Sequence, residues 1–163
     1  MNYLYLGKIV NTHGIKGELR ISSNIDKKDK IFIPGMKLYI GKNKDLEVIS
    51  SYRHHKVYEM ITLVGYNDIN QVLKYKGLNV YINRDDIKLN EDEYLLEELI
   101  GFSIINNGLI LGKVKEIVYN NSNILLYIMG DKDFYIPYKG DFINKVNIKN
   151  KEIIVSNIEG LML

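Results

Sequence analysis

The chain has 163 residues, of which 46% are hydrophobic and 26% charged, and its formal net charge is +2. This balance is typical of a globular protein that buries a core, and it excludes a disordered tail. The absence of cysteine excludes disulfides, thiolate metal ligands and cysteine nucleophiles. Thirteen tyrosines, among many Ile, Asn and Lys residues, indicate compositional bias rather than function.

The formal charge is divided unevenly along the chain. Residues 1–83 contain 13 Lys and Arg against 7 Asp and Glu, which gives +6, whereas residues 84–163 contain 9 against 13, which gives −4. A basic half favours a polyanionic partner, and an acidic half favours a basic partner.

The N-terminal segment shows no targeting signal. Residues 1–10 lack the basic stretch of a signal peptide, and no run of about 20 apolar residues predicts a membrane span. We therefore expect a cytoplasmic protein without a membrane partner.

Alternating apolar and polar residues predict six strands in the first half of the chain. One amphipathic helix is predicted over Asp68 to Tyr75, with Asp68 as its N-cap and Gly77 after its end. The polar run 26–30 is compatible with a loop or with one helical turn. Six strands and one helix favour a small barrel, because closure removes exposed strand edges. The predicted strands are Tyr3 to Val10, Glu18 to Ser22, Lys37 to Ile40, Leu46 to Tyr52, Tyr58 to Val64 and Leu78 to Ile82.

The second half repeats the pattern after a polar, largely acidic segment, residues 84–92, which we interpret as a linker. The predicted fold class is therefore all-β, with two small β-barrel domains, residues 1–83 and 93–163, each with at most one short helix. The strands expected in the second domain are Phe102 to Ile105, Leu111 to Tyr119, Ile124 to Met129, Phe134 to Ile136, Ile143 to Ile148 and Glu152 to Val155.

The histidines and carboxylates show no catalytic pattern. His54 and His55 are adjacent on a predicted strand, so their side chains point to opposite faces and cannot chelate one metal ion together. The carboxylates concentrate in the linker and in turns, where solvent keeps their pKa values ordinary. We therefore expect no metal site, no cofactor and no catalytic residue.

Two basic clusters lie in the first half. The stretch Gly14-Ile15-Lys16-Gly17 has the GxxG spacing of a phosphate-gripping KH loop, but that loop lies between helices and this one lies between predicted strands. The clusters are either solvated turns or contacts with RNA phosphates. Neither cluster is interleaved with aromatic residues, so recognition of RNA shape and backbone is the expected form. The candidate RNA-binding residues are His13, Lys16, Arg20, Arg53, His55 and Lys56.

Several short blocks, taken in order along the chain, carry a family resemblance. They include Gly7-Lys8-Ile9-Val10, Thr12-His13-Gly14, Lys16-Gly17-Glu18-Leu19-Arg20, Leu99-Ile100-Gly101, Leu111-Gly112-Lys113-Val114 and Ile136-Pro137. Their order and spacing over nearly the whole chain resemble the ribosome maturation factor RimM family. The resemblance implies an N-terminal barrel like that of translation factors, followed by a PRC-barrel domain.

The resemblance also implies a function. It implies a non-enzymatic assembly factor that binds the immature small ribosomal subunit near its head and assists 16S rRNA processing and assembly. The implied contacts are rRNA and the basic small-subunit ribosomal protein nineteen, and we expect a monomer. The alternative is a PRC-barrel protein-interaction module that does not contact RNA.

The entrance to the second domain departs from the family pattern. The family usually has further aromatic residues after Tyr94, where this chain has Leu95 and Leu96. These leucines are therefore either partner contacts or core residues. The candidate contacts to the ribosomal protein are Tyr94, Leu95 and Leu99.

Overall fold

The computed structural model describes residues 1–163 and divides the chain into two compact units, Met1–Asn90 and Glu91–Leu163. Both units are built mainly from β-strands, so the predicted all-β class is confirmed. No helix in the chain is long and apolar enough to cross a membrane.

Six antiparallel strands form the first unit. They are β1 (Tyr3–His13), β2 (Glu18–Ser22), β3 (Lys37–Ile40), β4 (Asp45–His55), β5 (Tyr58–Leu63) and β6 (Asn79–Asn83). They close into a barrel in the order β1-β2-β5-β4-β3-β6. β1 and β4 are 11 residues long, which is longer than predicted, and each contains a bulge. Because bulges bend a strand and increase its twist, they allow a long strand to curve around a small barrel.

The inner and outer faces of the barrel follow from the alternation along β2. Leu19 and Ile21 are fully buried inside, whereas Glu18 and Arg20 point outward and remain partly exposed. This is the predicted arrangement, and it results from successive side chains in a strand pointing to opposite faces.

Two single-turn helices belong to the first unit, so the prediction of at most one short helix is wrong here. The additional helix is α1 (Lys28–Ile31), which follows the polar residues that were compatible with a helical turn. Its last residue, Ile31, is fully buried, and the next residue, Phe32, stacks on Tyr52 at a centroid distance of 5.3 Å. This apolar anchor holds the turn against the barrel.

The second helix, α2 (Ile69–Val72), is shorter than predicted. Its N-cap is Asp68, as expected, and the side chain accepts a hydrogen bond from the amide of Asn70 at 2.7 Å. The side chain of Gln71 completes the capping box by accepting from the amide of Asp68. A 3₁₀ turn over Leu73–Tyr75 continues the chain to β6.

The predicted linker, residues 84–92, contains the boundary between the two units. Its first part belongs to the first unit, because Arg84–Asp86 form a 3₁₀ turn and Ile87 is buried. The amide of Arg84 also donates a hydrogen bond to the carbonyl of Asn2 at 2.9 Å. A single apolar residue thus anchors an otherwise polar segment to the barrel.

Six strands also form the second unit. They are β7 (Ser103–Asn106), β8 (Leu109–Asn120), β9 (Asn123–Gly130), β10 (Phe134–Pro137), β11 (Ile143–Asn147) and β12 (Glu152–Val155). The hydrogen-bonded order is β10-β9-β8-β7-β12-β11, with β12 and β7 parallel and the other neighbours antiparallel. The edges of this sheet are therefore β10 and β11.

Two unpredicted 3₁₀ turns, Leu96–Leu99 and Glu159–Met162, complete the second unit. The first begins where the amide of Leu95 donates to the carboxylate of Glu98 at 2.8 Å. Leu96 and Leu99 join the core of the sheet.

Candidate nucleic-acid interface

Four of the six predicted RNA-binding side chains meet on the outer face of the first barrel. We call His13, Arg20, Arg53 and His55 the arginine–histidine cluster. Cross-strand pairing assembles it, because Arg20 and Arg53 are both registered with Met60 of β5. Residues directly opposite each other in a sheet point to the same face, so β5 brings the two predicted basic groups together.

Arg20 lies at the centre of the cluster. Its Nη2 donates a hydrogen bond to Nδ1 of His13 at 2.9 Å, and its guanidinium lies 5.0 Å from the ring centroid of Tyr58. Because guanidinium only donates hydrogen bonds, Nδ1 of His13 is the acceptor. Arg20 forms no ion pair with a carboxylate, and its Nε is buried without a hydrogen-bond partner. Arg20 is therefore oriented by its neighbours while its charge remains unneutralised.

Arg53 has a different environment, although it occupies the same cross-strand row. Its Nε and Nη2 donate to the two carboxylate oxygens of Glu18 at 2.9 and 2.8 Å. These hydrogen bonds are the main reason that the pKa of Glu18 lies below its ordinary value. The bidentate pair fixes the geometry of Arg53 and also neutralises its charge.

The two imidazoles of the cluster lie side by side. The ring centroids of His13 and His55 are 5.7 Å apart, with the planes tilted by 55°. Partial burial lowers the pKa of His55, and the positive charges of Arg53 and Lys56 lower it further. The lowered pKa favours the neutral imidazole, which can donate a hydrogen bond without adding to the local charge. No group of three or more His, Asp or Glu residues could hold a metal ion.

Lys16 and Lys56, the other two predicted residues, lie in turns outside the cluster. Lys16 is exposed in the turn between β1 and β2, and Lys56 is exposed in the turn between β4 and β5. Because β2 and β5 are antiparallel neighbours, these two turns lie at opposite ends of the β2–β5 strand pair. The two lysines therefore extend the cationic surface in two directions.

The turn that carries Lys16 is attached to the helical segment after β5. The amide of Ile69 donates to the carbonyl of Ile15 at 2.9 Å. A Cβ atom on Gly17 would approach the amide nitrogen of Asp68 to 3.3 Å, and Gly17 also has a φ of 89°. Both the contact and the backbone angle require glycine at this position. The strands on either side confirm that this is not a KH loop.

A second polar cluster surrounds a carboxylate that points into the barrel, and sequence reasoning missed it. Glu59 of β5 is fully buried and accepts hydrogen bonds from Nδ1 of His54 at 2.7 Å, the hydroxyl of Tyr52 at 2.8 Å and Nζ of Lys28 at 3.1 Å. We call these four residues the interior glutamate cluster. A carboxylate at an inward position of a strand was its only sequence signal.

The pKa values of the interior glutamate cluster reflect this bonding. Burial raises the pKa of Glu59, but the hydrogen bonds from His54, Tyr52 and Lys28 outweigh burial, and the pKa lies below its ordinary value. Burial and the hydrogen bond to Glu59 raise the pKa of Tyr52 to about 12. The carboxylate of Glu59 is therefore ionised at neutral pH, where it serves as a structural hydrogen-bond acceptor.

The predicted ribosomal-protein contacts have unequal exposure. Leu95 and Leu99 are fully buried, so their side chains are not available to a partner in this structure. Tyr94 is partly exposed, and its hydroxyl forms a hydrogen bond with the hydroxyl of Tyr138. The two tyrosines line a cavity of about 350 Å³ within the second unit. Of the three predicted contacts, only Tyr94 lies at the surface.

Comparisons with known proteins identify two matching domains. The family model described as RimM N-terminal domain matches residues 4–87, and the one described as RimM PRC barrel domain matches residues 96–161. The chain is also similar to the ribosome maturation factor RimM of Staphylococcus aureus (strain bovine RF122 / ET3-1). The two are 40% identical over 162 residues, which covers 96% of this chain and 97% of the relative.

Two solved structures are also matched. A crystal structure of the 16S ribosomal RNA processing protein RimM from Pseudomonas aeruginosa is 19% identical, covers 95% of this chain and 97% of that chain, and has a TM-score of 0.44. The solution structure of the N-terminal domain of RimM from Thermus thermophilus is 18% identical. It covers 55% of this chain and 98% of that chain, with a TM-score of 0.47.

Proposed function

The chain belongs to the RimM family of ribosome maturation factors, and from this premise we propose that it binds the immature small ribosomal subunit in its head region. In this proposal it assists 16S rRNA processing and assembly without catalysing a covalent step. The supporting observation is the convergence of the predicted basic residues on one face of the first barrel. The proposed place of action is the cytoplasm, where the subunits are assembled, and the proposed binding form is a monomer.

The arginine–histidine cluster is the proposed contact with rRNA phosphates. Arg20 carries an unneutralised charge, whereas the charge of Arg53 is balanced by Glu18. The exposed ammonium groups of Lys16 and Lys56 extend this surface on either side. Each phosphate that binds such a cation releases counterions, which makes the binding salt-dependent. We therefore assign the largest contributions to Arg20, Lys16 and Lys56.

The second unit is the proposed contact with a basic partner, small-subunit ribosomal protein nineteen. The acidic charge of residues 84–163 supports this pairing. Tyr94 remains in the proposed interface because it is partly exposed, and aromatic residues provide large contact areas at low entropic cost. We assign Leu95 and Leu99 to the core that holds Tyr94 in position.

The test is co-sedimentation of the full-length protein with purified immature and mature small subunits. We expect binding to immature subunits and weaker binding to mature ones. Replacing Arg20 and Lys56 with Gln should weaken binding and reduce its dependence on salt, because phosphate contacts are lost. A protein that sediments only as a free species with either particle would contradict the proposal.

The alternative, a protein-interaction module without RNA contact, is favoured by one observation. The outer face of the second sheet exposes large apolar side chains, including Ile110, Met129 and Ile154. Under this alternative, the Arg20 and Lys56 substitutions leave partner binding and its salt dependence unchanged. The same co-sedimentation series, repeated from about 0.05 to about 0.3 M salt, therefore separates the two functions.

A further inference from the structure

A row of tyrosines crosses the first barrel on the side away from the arginine–histidine cluster. Tyr5 of β1 is registered with Tyr81 of β6, which is registered with Tyr39 of β3. Residues in such register point to one face. Tyr3 joins the row by packing edge-on against Tyr39, at a centroid distance of 5.0 Å. We call Tyr3, Tyr5, Tyr39 and Tyr81 the tyrosine face.

The tyrosine face is open to solvent. Tyr3 and Tyr5 are 38% and 41% exposed, whereas Tyr39 is buried beneath them. Tyr5 and Tyr81 meet edge to face, with centroids 5.9 Å apart and planes at 72°. In this geometry the edge of one ring lies against the face of the other, so the two rings are not stacked face to face. A flat group can stack on the ring surfaces that face solvent without displacing core side chains.

Lysines and one carboxylate, that of Asp86 near Tyr39, border this aromatic surface. The ammonium of Lys44, in the turn between β3 and β4, lies 4.2 Å from the centroid of Tyr81 and 5.6 Å from that of Tyr3. By strand register, Lys8 and Lys37 point to the same outer face as the tyrosines. The whole first unit, Met1–Asn90, is strongly basic.

We propose that the tyrosine face binds unpaired nucleobases of a single-stranded RNA segment, with Tyr5 and Tyr81 stacking on bases and Lys44 binding an adjacent phosphate. The inference extends the proposed function and rests on it, since it names a second RNA contact and the form of RNA it takes. Exposed aromatic rings within a basic surface are the combination that binds single strands, because every base offers a π face.

The positive charge beside the tyrosine face favours RNA over an apolar protein as the bound partner. An apolar protein partner would cover the rings but would leave the ammonium of Lys44 without a counter-charge. A nucleic-acid strand supplies both the flat apolar group and the phosphate. Lys44 now lies over the face of Tyr81, and a stacked base would replace it there. The displaced ammonium would remain within reach of the backbone of the same nucleotide strand.

The test measures binding of the full-length protein to a fluorescently labelled single-stranded RNA of about 12 nucleotides and to the same strand in a duplex. We expect the single strand to bind at least about fivefold more tightly, because its bases are free to stack. Replacing Tyr5 and Tyr81 together with Leu should weaken single-strand binding about five- to hundredfold. Replacing both with Phe should change it less than about twofold, since the π faces remain.

Matched controls separate stacking from misfolding. Tyr135 of the second unit is 49% exposed and stacks on Tyr127, so Tyr135→Leu should leave single-strand binding unchanged. Lys44→Gln should reduce the salt dependence of binding by about one phosphate contact. The thermal unfolding curve of the Tyr5 and Tyr81 double Leu variant should still show a folded first unit.

Several results would overturn the inference. They are equal binding of single strand and duplex, unchanged binding by the double Leu variant, or loss of binding by the double Phe variant. If the double Leu variant loses binding to a purified protein partner while its RNA binding stays intact, the tyrosine face would be assigned to protein recognition and the proposal would be refuted. Co-sedimentation with immature subunits tests the proposed function separately. If Arg20→Gln weakens that binding while the tyrosine variants bind single strands normally, only this inference fails.

Discussion

His54 and His55 are consecutive residues of β4, yet they belong to regions with opposite roles. His54 donates a hydrogen bond to buried Glu59 in the interior glutamate cluster. His55 lies beside His13 in the arginine–histidine cluster on the outer face. A one-residue step along a strand thus separates a histidine that bonds to a buried carboxylate from a histidine on a candidate binding surface.

The two clusters differ in how completely their charges are paired. In the interior glutamate cluster, three donors satisfy one carboxylate, and no charge is left for a ligand. In the arginine–histidine cluster, one carboxylate satisfies only Arg53, and Arg20 remains available. We therefore expect substitutions inside the barrel to change stability and substitutions outside it to change binding.

The largest expected effect is on stability, from Glu59→Ala. This substitution leaves the hydroxyl of Tyr52 and the amine of Lys28 without their buried acceptor, and it should destabilise the first unit by about 2–4 kcal/mol. Urea unfolding followed by circular dichroism measures this loss. The matched control is Glu18→Ala, which removes a carboxylate from the outer face and should cost less than about 1 kcal/mol. Equal losses would show that burial does not distinguish the two carboxylates.

The next largest effect is on binding, from Arg20→Gln. It should weaken binding to immature small subunits about five- to tenfold near 0.1 M salt, because one phosphate contact is lost. Replacing both Arg53 and Glu18 with Gln should weaken binding less than about twofold, since the two charges of this ion pair already cancel. Dissociation constants measured at several salt concentrations test both predictions. A larger effect of this double variant than of Arg20→Gln would show that the ion pair opens when the subunit binds.

Acid should weaken the interior glutamate cluster. The pKa of Glu59 lies below its ordinary value of 4.5, so the folded state holds this proton less tightly than the unfolded state does. Its stabilisation is therefore present above the unfolded pKa and is lost as the pH falls through the folded pKa. Urea unfolding at a series of pH values from 7 downward should show a smaller acid-induced loss for Glu59→Gln than for the unsubstituted protein.

The smallest effects come from the two histidines themselves. His54→Gln should cost at most about 1 kcal/mol of stability, since the imidazole is partly exposed, and should leave subunit binding unchanged. His55→Gln should leave stability unchanged and weaken binding slightly. Unfolding curves and co-sedimentation of both variants provide the measurement. If His55→Gln is the more destabilising, the separation of roles between the two faces is wrong.

Local pattern was sufficient to predict much of the fold. The observed ranges Glu18–Ser22, Lys37–Ile40 and Glu152–Val155 agree with prediction to the residue, because each is a short strand-forming run bounded by turn residues. The opposite orientation of His54 and His55 followed from strand geometry alone. These features depend only on neighbours in sequence, and a single chain contains that information.

The candidate site was less predictable, because it depends on partners far apart in sequence. Arg53 and Glu18 are 35 residues apart, and nothing local indicates that one neutralises the other. The tyrosines appeared to be compositional bias until strand register aligned Tyr5, Tyr81 and Tyr39. Burial of Leu95 likewise depends on the packing of the whole second unit.

The attachment of the β1–β2 turn to the start of α2 has a consequence for the energetics of recognition. The backbone hydrogen bond from Ile69 to Ile15, and the close approach at Gly17, hold the turn in place before any ligand arrives. Ordering a flexible loop on binding reduces affinity, because its conformational entropy is lost at that moment. Here that entropy is already lost when the barrel folds, so only the side chain of Lys16 remains to be immobilised by a phosphate.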